Sequence, residues 1–295
     1  MDLCNIDTIR RLLAKHGFRF SKSLGQNFLT ASWVPKRIAQ CCGAGPADGV
    51  LEVGPGIGCL TAELSGVCGK VVSIEIDRAL FPVLSETLQS AGNAEVVYGD
   101  VLKTDLKALC REKFPGQMVY ACANLPYYIT TEAIAALLQS GCFAAITVMV
   151  QKEVAKRICA SSGSAEYSAF TVFVNFYAET EILFEVPRDC FIPQPKVDSA
   201  VISIIPRNRE RKDLLEEACF FKTVRSAFQQ RRKTLANALL SGYAGALTKE
   251  TIQKIIVSCG FPPKIRGEKL SIEDFIRLAN AITIEQAEKH DGKGI

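Results

Sequence analysis

The chain has 295 residues, 48% of them apolar and 22% charged, with a net charge of +4. That apolar content can bury a sizeable core, so wholesale disorder is excluded, and the length suits one large domain with a smaller companion. No apolar run is long enough to span a bilayer, and the start of the chain, with Asp2 and Asp7, lacks the apolar stretch and cleavage site of a signal peptide. A cytoplasmic location without membrane attachment is expected. The twelve cysteines are scattered, with no CxxC and one adjacent pair, Cys41-Cys42, too tight for ordinary zinc spacing. Cys122, Cys142 and Cys159 sit in apolar segments, where a thiol acts as a small hydrophobe, so reduced structural cysteines are expected. With only His16 and His290 present, neither a metal nor histidine acid–base chemistry is expected.

The first segment, Thr8 to Ala47, carries seven basic residues and no acidic one: Arg10, Arg11, Lys15, Arg19, Lys22, Lys36 and Arg37. From Val50 onward, short apolar runs alternate with helix-like stretches. Val50–Val53, Val71–Ile76, Glu95–Tyr98, Met118–Cys122 and Ala144–Val150 read as strands, which predicts a parallel, doubly wound α/β sheet. Ser161-Ser162-Gly163-Ser164 reads as a mobile loop. Thr171–Tyr177 and Ala200–Ile205 read as two later strands that complete the sheet. After Pro206 the strand signals stop and charged amphipathic helices take over, with a turn at Pro262-Pro263. The predicted boundary gives a catalytic domain over 1–205 and a smaller helical domain over 206–295. Nine basic and four acidic residues fall between Pro206 and Leu240, a second positive block. Two such blocks flanking a catalytic domain favour a polyanionic partner.

The first strand runs into Glu52-Val-Gly54-Pro-Gly56-Ile-Gly58, a glycine loop at the carboxyl end of a central strand, where nucleotides bind in this architecture. A dinucleotide fingerprint needs a third glycine at position 59, where Cys59 stands. The GxGxG spacing fits S-adenosylmethionine, which has a methionine tail and no pyrophosphate. Glu75 ends the second strand, where its carboxylate can accept from both ribose hydroxyls. Asp100, after the third strand, can accept from the cofactor's adenine amine. The fourth strand leads into Asn124-Leu125-Pro126-Tyr127. An exocyclic adenine amine is a poor nucleophile because its lone pair is delocalised into the ring. The side-chain oxygen of Asn124 and the carbonyl of Leu125 can each accept one N6 hydrogen, while Pro126 fixes the turn. Tyr127 offers a face for an unpaired base to stack on. No strong base is required, and catalysis is expected to come from positioning and stabilisation of positive charge on N6.

These motifs resemble the family of small-subunit ribosomal RNA adenine-N6,N6-dimethyltransferases from about residue 20 to 280. Leu24-Gly25-Gln26-Asn27-Phe28-Leu29 is similar to the family's first element, so Asn27 and Leu29 are carried over as cofactor contacts beside Gly54, Gly56, Glu75, Asp100 and Asn124. Phe191-Ile-Pro193-Gln-Pro195-Lys-Val-Asp-Ser199 resembles a later loop, which implies that Phe191 packs against the target adenine. Phe228 to Leu235 and Arg266 to Ser271 resemble the RNA-facing helical domain, which points to Arg225, Arg231, Arg232 and Lys233 as RNA contacts. The resemblance implies a Rossmann-like class I methyltransferase domain with an α-helical C-terminal domain, acting on the small ribosomal subunit; nothing in the sequence suggests an obligate dimer, and a monomer is expected. It also implies dimethylation of two adjacent adenines near the 3′ end of the rRNA, contributing to ribosome biogenesis. One position departs from the family: Ser168 stands where a glycine is usual, so the local loop is expected to differ.

Four other readings compete: a large-subunit rRNA methyltransferase, a protein glutamine methyltransferase, a DNA adenine methyltransferase and a non-catalytic binding module. Resistance methyltransferases of large-subunit rRNA share the catalytic pattern, but the Leu24–Leu29, Arg231–Leu235 and Arg266–Ser271 elements favour the small subunit. The two basic blocks argue against a protein substrate, and no zinc finger or basic zipper suggests DNA. A non-catalytic assembly factor would be free to lose its site, whereas Gly54, Glu75, Asp100, Asn124 and Tyr127 are all present.

Overall fold

The computed structural model describes residues 1–18, 25–207 and 212–291. Arg19, Lys22 and Leu24 lie outside the described residues, as does the side chain of His290. In chain order the elements begin with α1 (Ile6–Lys15), β1 (Phe28–Leu29), α2 (Trp33–Cys41), β2 (Gly49–Val53), α3 (Cys59–Ser65) and β3 (Lys70–Glu75). Next come α4 (Phe81–Thr87), β4 (Ala94–Tyr98), α5 (Leu106–Lys113), β5 (Val119–Asn124), α6 (Thr130–Ser140) and β6 (Ile146–Gln151). Then follow α7 (Lys152–Ile158), α8 (Ala169–Tyr177), β7 (Ala178–Val186), β8 (Phe191–Ile192) and β9 (Ser199–Pro206). The chain closes with α9 (Glu217–Gln229), α10 (Leu235–Gly242), α11 (Lys249–Ser258) and α12 (Ile272–Asp291).

Residues 1–156 and 178–207 form one compact unit; 157–177 and 208–295 form a second. In the first, a seven-stranded sheet runs β4-β3-β2-β5-β6-β9-β7. The strands β4 to β6 pair in parallel, while β9 pairs antiparallel with both β6 and β7. It is a Rossmann-like α/β fold. The chain winds outward from β2 to β4 and then restarts at β5 on the other side of β2. That switch opens a crevice at the carboxyl ends of β2 and β5. Ile9, Ile38, Leu60 and Leu84 from α1 to α4 form one core with Val50, Val71, Cys122 and Met149 of the strands. Helix starts are chemically marked: Asn5 Oδ1 accepts from the N–H of Asp7 and Thr8, and Asp105 Oδ1 from that of Ala108.

Two expectations need correction. The segment Thr171–Tyr177 is not a strand but lies within α8, and it belongs to the second unit rather than to residues 1–205. Its β-branched and aromatic residues suit a strand, but tertiary packing overrides that preference. Val172 and Phe176 are buried in the helical unit's core with Phe220, Leu239 and Phe275. The strand that pairs with β9 is β7, whose alternation is interrupted by a bulge between Ile182 and Phe184. Ser168, the departure from the family, caps α8. Its Oγ accepts from the Thr171 N–H at 3.2 Å, its own N–H donates to Thr171 Oγ1 at 3.0 Å, and its backbone needs no positive φ. The loop at Ser161–Ser164 is tied by the Gly163 N–H donating to Glu268 O at 2.7 Å.

Candidate active site

At the switch point lies a cavity of about 210 Å³, built within the first unit. Asn27, Leu29, Gly54, Gly56, Glu75 and Asp100 all line it, and so do Asn124, Leu125, Pro126 and Tyr127. The sequence spreads these residues over about a hundred positions; the parallel register of β2, β3, β4 and β5 brings Gly54, Glu75, Asp100 and Asn124 together, and the segment at β1 adds Asn27 and Leu29. Gly54 turns the chain out of β2 at φ 69°, and a Cβ there would project into open space on the cavity wall. Gly58 starts α3 at φ 90°, where a Cβ would lie 3.0 Å from Leu88.

Glu75 is buried, and that burial raises its carboxyl above the usual range; its Oε1 accepts from the Asp77 N–H at 2.8 Å. Asp100 is pinned through Oδ1 by the Leu102 N–H at 3.0 Å. Lys103 Nζ approaches Asp100 Oδ2 to 3.6 Å, but that lysine is 83% exposed and water screens the pair. Asn124 Nδ2 donates to the backbone carbonyl of Asn27 at 3.3 Å. One N–H of the amide is thereby committed, and Oδ1 is the end left to accept from a ligand. The Leu125 N–H donates to Met149 O at 3.2 Å, which holds the turn on β6. Pro126 follows at φ −57°, ψ 132°. Tyr127 OH bonds Ser199 Oγ at 2.9 Å, so the ring is anchored at its far end; burial raises its phenol.

Three features of this site, and the burial of a fourth residue already placed in the glycine motif, were not read from the sequence. Tyr128 lines the cavity and covers Gly25, where a Cβ would meet its ring at 3.3 Å. The Asn27 backbone, rather than its side chain, anchors Asn124. Ser199 anchors Tyr127 from 72 positions away. Glu52 also lines the cavity and is the one acid in the wholly buried strand Gly-Val-Leu-Glu-Val. An ionisable residue in an otherwise apolar strand was the available signal for it.

Phe191 is placed differently from the expectation. It is buried in the core (4% exposed) and does not line the cavity. Its strand β8 pairs with β1, Phe191 opposite Leu29, and so supports the element that carries Asn27 and Leu29. In the second unit Arg225, Arg232 and Lys233 are exposed. Arg231 is tied down, donating to Ala165 O at 2.9 Å and pairing with Glu268 at 3.7 Å. Among the described residues, no group of three or more His, Cys, Asp or Glu side chains could hold a metal ion, and no helix is long and apolar enough to cross a membrane.

The family model described as ribosomal RNA adenine dimethylase matches residues 17–283. The chain belongs to this family. A relative from Clostridioides difficile, called ribosomal RNA small subunit methyltransferase A, is 44% identical over 97% of this chain and 99% of its own. One of the same name from Bacillus cereus is 42% identical over the same shares. Among solved structures, a dimethyladenosine transferase from Plasmodium falciparum has a TM-score of 0.73 and 26% identity, covering 88% of this chain and 98% of that one. The 23S rRNA methyltransferase ErmE has a TM-score of 0.66 and 28% identity, covering 87% and 99%.

As a member of this family the chain is an S-adenosylmethionine-dependent rRNA adenine dimethyltransferase. The cavity's own chemistry fits that cofactor. The missing Cβ at Gly54 leaves room against the loop, two carboxylates are available for a ribose and an amine, and Glu52 Oε1 is a buried oxygen with no hydrogen-bond partner among the described residues.

Proposed function

We propose that this chain dimethylates N6 of two adjacent adenines near the 3′ end of small-subunit ribosomal RNA, as a cytoplasmic monomer contributing to ribosome biogenesis. The observation that carries the reading is the turn at Asn124–Tyr127. Asn124 is locked through Nδ2 to the Asn27 carbonyl, beside the same cavity that holds Gly54, Glu75 and Asp100.

The bound cofactor supplies an electrophilic methyl group. In this reading Glu75 holds its ribose, Asp100 its adenine amine, and the Gly54–Gly56 backbone, Asn27 and Leu29 its methionine end. In the first transfer Asn124 Oδ1 and Leu125 O each accept one hydrogen from the target amine, and in the second one of them holds the single hydrogen that remains, so localising its lone pair for attack. Pro126 keeps the two acceptors aimed, because its ring fixes φ. Tyr127, anchored on Ser199, stacks on the target base, and Phe191 supports that pocket from the core. The proton leaves N6 for solvent after transfer, when the amine is cationic and acidic, so no side chain has to act as a strong base. Arg225, Arg232 and Lys233 offer exposed charge to RNA phosphates. Arg231 supports that surface through Glu268 and Ala165.

The relatives named for the small subunit, at 42–44% identity over nearly their whole length, support that substrate over the large subunit on which ErmE acts by its name. The test is methylation with radiolabelled S-adenosylmethionine of unmethylated small subunits, with large subunits and duplex DNA in parallel, followed by nucleoside chromatography. Label in N6,N6-dimethyladenosine from small subunits alone is expected. Label in the large subunit would make this a resistance-type enzyme. Binding to small subunits without any label would make it an assembly factor.

A further inference from the structure

Tyr128 sits on the single helical turn Tyr127–Ile129 that directly follows Asn124–Pro126, and its ring lines the cavity. The chemistry proposed above does not use it. What the ring touches is the backbone of the segment that carries Asn27. Gly25 has φ 57°, and a Cβ there would lie 3.3 Å from Tyr128 Cδ1 and 3.9 Å from Pro126 Cβ. From Gly25 the contacts run on to the catalytic amide. Gly25 O accepts from Asn27 Nδ2 at 3.0 Å, and Asn27 O accepts from Asn124 Nδ2 at 3.3 Å. Gln26 Nε2 donates to Asp77 Oδ2 at 2.8 Å, and Phe28 pairs with Ile192, so the segment is also held at its middle and its far end. The circuit closes on itself, because Asn124 and Tyr128 stand only four positions apart on one turn.

We infer that Tyr128 is a positioning residue: its ring clamps Gly25–Asn27, and through the Asn27 carbonyl it keeps Asn124 Oδ1 aimed at the target amine. This inference rests on the role given to Asn124 above. The last torsion of an asparagine has two wells related by a half-turn, which exchange Oδ1 and Nδ2. In the wrong well an N–H faces an amine that is itself a donor, and the acceptor is lost. The bond from Nδ2 to the Asn27 carbonyl selects the right one. At 3.3 Å it is already long, so a drift of that carbonyl by about 0.5 Å would break it. The clamp at Gly25 is what limits such drift at the near end of the segment. Tyr128 is 54% exposed, so its ring contributes little to the core, and its removal loosens the clamp without unfolding the chain.

Hydrogen–deuterium exchange of the full chain, without cofactor, reads the clamp directly. Tyr128→Ala should speed exchange at the amides of residues 25–29 by about tenfold and leave those of β2 and β5 unchanged. In single-turnover methylation of small-subunit RNA at saturating cofactor, the same variant should lower the rate by about thirtyfold, with cofactor affinity by calorimetry within a few fold. Tyr128→Phe keeps the ring and should recover both the exchange pattern and the rate. Because Tyr128 acts through Asn124, adding Tyr128→Ala to Asn124→Ala should cost nothing further. Should Tyr128→Ala fail to fold, Gly25→Ala, whose Cβ pushes the ring away, should give the same pattern. Unchanged exchange at residues 25–29, an equal loss of rate in Tyr128→Phe, or a further loss of similar size in the double variant would overturn the positioning role and leave the assignment of Asn124 intact. Undiminished transfer by Asn124→Ala would overturn both.

Discussion

The two ends of the cavity are built on opposite principles. The cofactor end is lined by three acids, Glu52, Glu75 and Asp100, two of them buried deeply enough to shift their ionisation. The end that would meet the target base is lined by Asn124, Leu125, Pro126 and Tyr127, with no carboxylate and no histidine. Recognition of a cationic cofactor uses charge, whereas activation of an aromatic amine uses neutral acceptors held rigidly in place. A carboxylate beside N6 would bind the amine and stabilise its positive charge as well. It would equally attract the sulfonium, a competition that a neutral amide avoids. Cofactor affinity should therefore depend on pH while the transfer step should not.

The sharpest way to break this contrast is Asn124→Ala, which should lower methyl transfer by about a thousandfold while changing cofactor affinity by only a few fold. Single-turnover kinetics and calorimetry on the same preparation separate the two effects. At the opposite end, Gly54→Val should lower cofactor affinity by about a hundredfold. It combines a strained positive φ with a side chain at the wall of the cavity that would take the cofactor. Equilibrium dialysis checks it, and unchanged affinity would remove the loop from the site.

Glu52→Gln sharpens the comparison through stability. The folded carboxyl titrates above its unfolded value, so its protonated form stabilises the fold below roughly pH 4, and that contribution is lost as pH rises through about 7. In the cofactor-free protein the variant should therefore gain on the natural chain by about 3 kcal/mol above roughly pH 8, with the difference vanishing below roughly pH 4.5. Urea unfolding at both pH values reads this directly. A smaller change, about tenfold in cofactor affinity, is expected for Asp100→Ala, whose carboxyl is partly open to water and supplies a single ligand contact. Smallest per residue are Arg232→Gln and Lys233→Gln, which together should lower the salt slope of RNA binding by about two without altering stability. Arg231→Gln should instead lower the melting temperature, because it breaks the ties to Ala165 and Glu268.

Much of the cavity was legible in the sequence because it is local. The Gly54–Gly58 loop, Glu75, Asp100 and the Asn124 turn each follow a strand that alternation or a β-branched run reveals, and parallel pairing places strand ends together by rule. What escaped depends on distant partners. Thr171–Tyr177 has the residues of a strand, yet Ser168 caps it as a helix and Val172 and Phe176 find a helical core. The strand β7 was hidden because its bulge breaks the period. The burial of Phe191, the anchoring of Asn124 by a backbone carbonyl 97 positions earlier, and the unpartnered oxygen of Glu52 are long-range facts. Short motifs carry no information about them.

The measurement that tests the central claim most directly is the pH dependence of single-turnover methyl transfer to small-subunit RNA at saturating cofactor. Neutral acceptors at Asn124 and Leu125, with proton loss after transfer, require a rate that is flat from about pH 6 to about pH 8.5. A rate rising about tenfold per pH unit toward a plateau near neutrality would contradict the account, because a titrating side chain would then be acting as base on the target amine.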